Sequence, residues 1–111
     1  MNNLINFDDF IHLDIRIGTI ISANFFKNAA KPAYQLIIDF GLLGKLNSSA
    51  QITELYQSEN LIGKQVVAVV NVGQIKIRNF VSHCLVLGVT TLEGVSLLKA
   101  DHKITNGSSV V

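Results

Sequence analysis

Three histidines and one cysteine are the residues of this chain best suited to bond-making chemistry, and their spacing works against it. His12, His83 and His102 stand at long, unrelated intervals. No cysteine or acidic cluster accompanies them at the spacing of a metal site. Cys84 follows His83 directly, which would point thiol and imidazole to opposite faces of a strand and prevents a nucleophile–base pair. Cys84 therefore reads as a small core residue and the histidines as surface or internally satisfied ones. Glycine-rich phosphate loops and a nucleophile elbow are absent from the sequence. No catalytic residue, metal ligand or cofactor is expected.

Two polar stretches suit binding better than catalysis. Asn47-Ser48-Ser49-Ala50-Gln51-Ile52-Thr53 gathers short hydroxyl and amide groups, which donate and accept hydrogen bonds without the cost of burying charge. An ordinary loop with a helix cap fits the same residues. The second stretch, residues 71–80, leaves a valine run, crosses Gly73, and then alternates Ile75 and Ile77 with Lys76 and Arg78. An extended segment of that kind packs its apolar side on the body and turns its cations outward. From 60 to 92 the chain has no Asp or Glu, while Lys64, Lys76 and Arg78 all fall inside that interval. Either a strand-rich core segment excludes carboxylates there, or the segment forms a positive edge facing phosphate or another acidic ligand. So few cations bind weakly and in a salt-sensitive way, and a dimer doubles their number.

The elements that must position these residues are mostly strands. Ile15, Ile17, Thr19, Ile21, Ala23 and Phe25 alternate with Arg16, Gly18, Ser22 and Asn24, the period-two mark of a half-buried strand, with Ile20 as an outer-face exception. Tyr34, Leu36, Ile38 and Phe40 alternate against Gln35 and Asp39 in the same way. The β-branched runs at 65–72 and 84–89 read as central strands, and Leu97 and Leu98 as part of a further short strand after a turn at Glu93-Gly94. Phe7, Phe10 and Ile11 predict a brief helical turn with Asp8 and Asp9 near its start. Ile52, Leu55 and Tyr56 predict a second, with Thr53 as its cap. Asn106-Gly107 is a strong turn dipeptide.

Strands one to three, a short helix, then two more strands is the order of an OB barrel, and closure removes exposed sheet edges. The expected fold class is all-β with small helical insertions: a five-stranded OB-fold β-barrel with N- and C-terminal extensions. One domain fills residues 1–111, with a core at about 14–90 and dimerising extensions at about 1–13 and 91–111. Charged residues are only 15% of the chain, against about 25% in typical domains. That shortage implies a surface covered by a partner, read as a homodimer. The longest fully apolar run, 66–70, is five residues, and a spanning helix needs about 20. With no basic segment leading into a hydrophobic one, and one cysteine unable to form an internal disulfide, a cytoplasmic location is the expectation.

Several strings resemble one family. F-D-D-F-I-H-L-D-I-R-I-G-T-I at 7–20, S-S-A-Q-I-T at 48–53, L-I-G-K-Q-V-V-A-V-V-N at 61–71 and S-H-C-L-V-L-G at 82–88 are similar to the CsaA branch of the tRNA-binding-domain family, with likeness running from about 7 to 107. The resemblance implies an OB-fold homodimer that binds tRNA by shape and backbone, with an export-related chaperone role in holding unfolded preproteins or peptides. It carries Ser48, Ser49 and Gln51 to the ligand face, and maps Asn71, Lys76, Arg78 and Ser82 onto the family's N-x-x-P-R-K-x-R-G-x-x-S pattern. Gln74-Ile75 stands where that pattern has Pro-Arg, and Asn79 where it has Gly. One cation per copy is thereby missing. The resulting alternatives are a peptide-holding chaperone that has lost tRNA binding, or an assembly module for synthetases.

Overall fold

The alternating residues at 15–25 form the longest element, β1 (Ile15–Phe25), in a computed structural model that describes residues 3–111. Met1 and Asn2, part of the expected N-terminal extension, lie outside the described residues. A short helix, α1 (Phe7–Ile11), precedes β1 as its apolar spacing predicts, with Asp8 and Asp9 in its first turn. Then follow β2 (Tyr34–Asp39), β3 (Lys45–Ala50), α2 (Ser58–Leu61) and β4 (Gln65–Val69). A hairpin of β5 (Ile75–Ile77) and β6 (Phe80–Ser82) leads to β7 (Leu85–Val86), and a second hairpin joins β8 (Gly88–Thr91) to β9 (Gly94–Leu97).

β1 is long enough to serve two neighbours. Its second half pairs antiparallel with β2 and its first half with β4. The main sheet therefore runs β3-β2-β1-β4-β7, antiparallel throughout. Its two outer strands curl towards each other until the segments 47–49 and 82–84 bond across the gap. The result is a nearly closed five-stranded barrel with a helix between the third and fourth strands, the expected OB arrangement. Leu36, Ile38, Phe40, Leu61, Val66 and Ala68 fill its interior.

The first half of β1 departs from the expected pattern. Ile20 pairs with Ile38 and Ser22 with Ile37, so Ile21 is the extra residue of a β-bulge. A bulge of one residue exchanges the faces of everything before it. Beyond it, Ala23 and Phe25 oppose the inward Leu36 and Tyr34 as expected. Before it, Gly18 and Ile20 point inward instead of Ile17, Thr19 and Ile21. Ile20 is 0% exposed and Ile21 40%, the reverse of the sequence expectation. Gly18 faces so close a neighbour that a Cβ there would stand 2.6 Å from Ile38 Cγ2.

Ile17, now on the outer face, is buried because the C-terminal segment lies along β1. Ile17 donates to Ser108 O and accepts from Gly107, and Val110 donates to Ile15 O. Gly107 makes the expected turn with a positive φ of 91°. A Cβ at this position would meet the Phe40 carbonyl oxygen at 2.5 Å.

Two further expectations change. No helix begins at Thr53. Residues 53–55 turn, and α2 starts at Ser58 after Gln57, without a side-chain cap. The Tyr56 carbonyl is taken by the Tyr34 hydroxyl at 2.8 Å, and Ile52 is drawn into the core, so tertiary contacts override local spacing. The apolar run at 84–89 is also not one strand. It breaks at Leu87 into β7 and β8, because β8 leaves the barrel to pair with β9.

The bulge supplies a direct test. Ile20→Ala should cost about 2–5 kcal/mol of stability by urea denaturation, and Ile21→Ala less than about 1 kcal/mol. The opposite ranking would restore the unbulged register.

Candidate nucleic-acid interface

Two neighbouring loops carry four cations, Lys27, Lys31, Lys76 and Arg78. Residues 26–33 join β1 to β2, closed at their base by the Phe26 N–H donating to Ala33 O at 2.9 Å. The β5–β6 hairpin leans against this loop: the rings of Phe26 and Phe80 meet edge-on at 5.6 Å. Arg78 Nε then donates to Asn28 O at 2.9 Å. Buried Phe26 thus acts as the hinge pin on which both loops are set.

The extended reading of 75–78 holds only to Ile77. Arg78 opens the hairpin turn with φ 56°, a conformation that costs any residue with a Cβ and is usually left to Gly or Asn. Its bond to the neighbouring loop offsets part of that cost. Lys27 and Arg78 line one open depression with Asn28, Ala29 and Asn79. Lys31 follows in the first loop, and Lys76 sits at the centre of exposed β5. Neither loop contains a carboxylate. Lys27 and Lys31 were outside the sequence reading. Their signal was there: two lysines in the K-N-A-A-K-P turn between the first two alternating strands, one of the two loops OB folds use on oligonucleotides.

The other sequence-selected residues divide into exposed and structural ones. Ser49 is half-buried and Gln51 exposed at the end of β3, along a groove floored by Leu85 and Val95. Ser48 is fully buried, its hydroxyl donating to Cys84 O at 3.0 Å. Ser82 is buried too, its hydroxyl accepting the Ser49 N–H at 2.9 Å. Both hydroxyls are used within the fold. Asn71 is exposed, yet its amide donates to His12 O at 2.7 Å and accepts the Asp14 N–H at 2.9 Å, tying the exit of α1 to the end of β4. Lys64 stands away from the two loops, its ammonium 5.9 Å from the centre of the Tyr56 ring.

The candidate reactive groups are scattered. His12 ends α1, the His83 backbone N–H donates to Asn47 O, and His102 stands 3.7 Å from Asp101 on the C-terminal segment. Among the described residues, no three His, Cys, Asp or Glu side chains converge as a metal site. Cys84 is a core residue, and burial pushes its thiol up to about 11. No helix among the described residues is long and apolar enough to cross a membrane.

A nearly closed five-stranded barrel with a cationic rim on its first and last inter-strand loops is an OB-fold binding domain. A family model described as "Putative tRNA binding domain" matches residues 15–109, and the chain belongs to this tRNA-binding-domain family. Among solved structures, the chaperone CsaA of Bacillus anthracis is 47% identical with a TM-score of 0.93, over 98% of this chain and 100% of that one. The CsaA chaperone of Picrophilus torridus is 46% identical with a TM-score of 0.92, over 97% and 100%. Methionine–tRNA ligase of Methanococcoides burtonii is 37% identical over 109 residues, 97% of this chain and 16% of that enzyme. The chain thus spans about one sixth of the length of the curated relatives it matches. The matched family is a binding domain, not a catalytic one.

The buried thiol predicts its own reactivity. Cys84 should resist iodoacetamide in the native protein at pH 9, where an exposed thiol of ordinary pKa 9.0 is half ionised. Because the folded pKa is raised, this contribution to stability is complete below pH 9 and is lost as pH rises through about 11. Alkylation of the native protein as fast as of the urea-unfolded chain would place Cys84 outside the core.

Proposed function

We propose that the protein binds tRNA as a homodimer and also holds unfolded preprotein or peptide segments in an export-related chaperone role. The observation that carries the tRNA reading is the gathering of Lys27, Lys31, Lys76 and Arg78 on two loops locked together by Phe26 and Phe80, in a chain of the tRNA-binding-domain family. Cations on exposed loops reach phosphate oxygens, which position a folded RNA without reading its bases. Lys27 and Lys31 supply charge that the missing Pro-Arg cation does not. Ser49 and Gln51 extend the ligand face along β3. Ser48 and Ser82 act on it indirectly by holding the seam beneath, and Asn71 by fixing the neighbouring chain. Binding needs no cofactor, catalysis is not part of the role, and tRNA as ligand fits a cytoplasmic site.

The dimer reading rests on the N-terminal segment. Leu4, Ile5, Phe7, Phe10, Ile11 and Leu13 all expose large apolar side chains, and no residue of α1 is buried. A continuous strip of that kind calls for a cover, and a second copy gives a self-complementary one. The chaperone reading is supported by likeness to the two CsaA structures and by Ile75, 46% exposed beside Lys76. An apolar side chain at that place suits a peptide better than a phosphate. The ligases that carry a similar domain within a longer chain support the third reading, an assembly module.

Gel-shift titration against total tRNA should show a complex that weakens as salt rises. Lys76→Ala with Arg78→Ala should weaken it about tenfold or more at low salt, and Lys27→Ala should weaken it further. Binding unchanged by all three removes these loops from the site, and no complex even at low salt leaves the peptide reading in its place.

In sedimentation velocity, Leu4→Asp with Phe7→Asp should shift a dimer to monomer. A variant that stays dimeric moves the interface elsewhere.

A further inference from the structure

A second group of cations stands apart from the two loops. Beyond β9 the chain does not fall back on the barrel at once. It is anchored where the Leu98 N–H donates to Leu87 O. It is anchored again where the Gln65 side chain takes both the N–H and the carbonyl of Ile104. Between the anchors, residues 99–103 (Lys-Ala-Asp-His-Lys) bow outward as a strap. Strap and barrel enclose an open cleft of about 570 Å³ floored by Tyr56 and the start of β4, within the usual size of ligand sites.

The cleft is cationic. Lys64 enters from the barrel side, held over the Tyr56 ring, and Lys99 and Lys103 enter from the two ends of the strap. Against these three stands one carboxylate, Asp101, which has His102 beside it at 3.7 Å. Three lysines spread over a solvated surface would mean nothing. Here all three line one concavity whose strap is fixed at both ends by hydrogen bonds.

The cleft adjoins the groove of the proposed ligand face across Leu97. Leu97 lines it and also lines the groove along Ser49, Gln51 and Leu85. That groove borders Ser82, whose hydroxyl holds Ser49, at the foot of the hairpin bearing Lys76 and Arg78. Neighbouring residues thus link the two loops to the Ser49–Gln51 groove, and that groove to the strap cleft.

We propose that the strap cleft is a second phosphate station, in which Lys64, Lys99 and Lys103 grip the backbone of the same RNA molecule that the two loops hold. The inference rests on the tRNA reading above. Neutral donors between two cationic ends match a ligand whose charge recurs along an extended chain. An unfolded peptide has no such regular charge. Sequence-independent contact also explains the absence of any need for base-reading side chains in the strap.

The test is the salt dependence of tRNA binding, measured for wild type, for Lys64→Gln/Lys99→Gln/Lys103→Gln, and for the matching triple Arg variant. Losing three phosphate contacts should make the slope of log K against log salt shallower by about 2 to 3. Affinity at low salt should fall about tenfold or more. The Arg variant, which keeps the charges, should retain the wild-type slope. Thermal melts of all three proteins check that the fold is kept, and K64Q alone serves should the triple variant fail to fold, with a slope change of about 0.7–0.9. A wild-type slope in the Gln variants overturns the strap station and leaves the loop site standing. Absence of tRNA binding by wild type overturns both, so wild-type binding with an unchanged Gln-variant slope, against no binding at all, tells the two failures apart.

Discussion

The barrel closes through a seam that is not a ladder. β3 and β7 are the outer strands of the sheet, and no ladder joins them among the described residues. β3 is held instead to residues 82–84, just before β7: the His83 N–H and the Cys84 thiol donate to Asn47 O, the Ser48 hydroxyl to Cys84 O, and the Ser49 N–H to the Ser82 hydroxyl. Ser48 and Ser82 are the two buried polar residues of the interior, and a buried hydroxyl without a partner would cost about 1–3 kcal/mol. Both are satisfied, so the seam is stable and the segments on either side of it are fixed relative to each other.

Everything on the ligand side follows from that seam. It brings the β5–β6 hairpin, which arrives at the seam through Ser82, beside the loop that leaves β1. Phe26 and Phe80 then lock the two together. Residues 50 positions apart in sequence, Asn28 and Arg78, come within hydrogen-bond distance. A net charge of +1 gives the whole protein almost no long-range field, so attraction for an anion has to be local. Gathering cations on loops free of carboxylates achieves this where average composition does not.

The ends of the chain behave unequally. Past the strap, residues 104–110 bond back to the barrel through the Gln65 side chain, through Arg16 reaching Gly107 O at 2.9 Å, and along β1. The N-terminal segment touches its own barrel chiefly through the Asn71 amide and leaves its apolar side chains uncovered. Large apolar side chains such as Leu42, Leu92 and Val111 are exposed elsewhere too, but the N-terminal segment groups Leu4, Ile5, Phe7, Phe10, Ile11 and Leu13 in one short stretch, where burial against another chain would release apolar area from water.

Local spacing was enough to reveal β1, β2 and β4, the helix before β1, the clean alternation of β2, the turn at Asn106-Gly107 and the inert place of Cys84, but not β3, whose polar residues 47–50 read as a loop or a polar binding stretch. Each depends on residues within one turn or one strand of each other. The family likeness was legible in the strings at 7–20 and 48–53. What tertiary structure alone decided were the features that pair distant residues. The bulge at Ile21 depends on which residue of β2 stands opposite, and it reversed the faces of half a strand. The failed helix at Thr53 depends on a hydroxyl from Tyr34. Ser48 and Ser82 became seam bonds rather than exposed donors because closure buried them. The two cation groups likewise exist only once loops from opposite ends of the sequence are brought together, since spacing along a chain specifies a side chain's face but not its neighbour across a barrel.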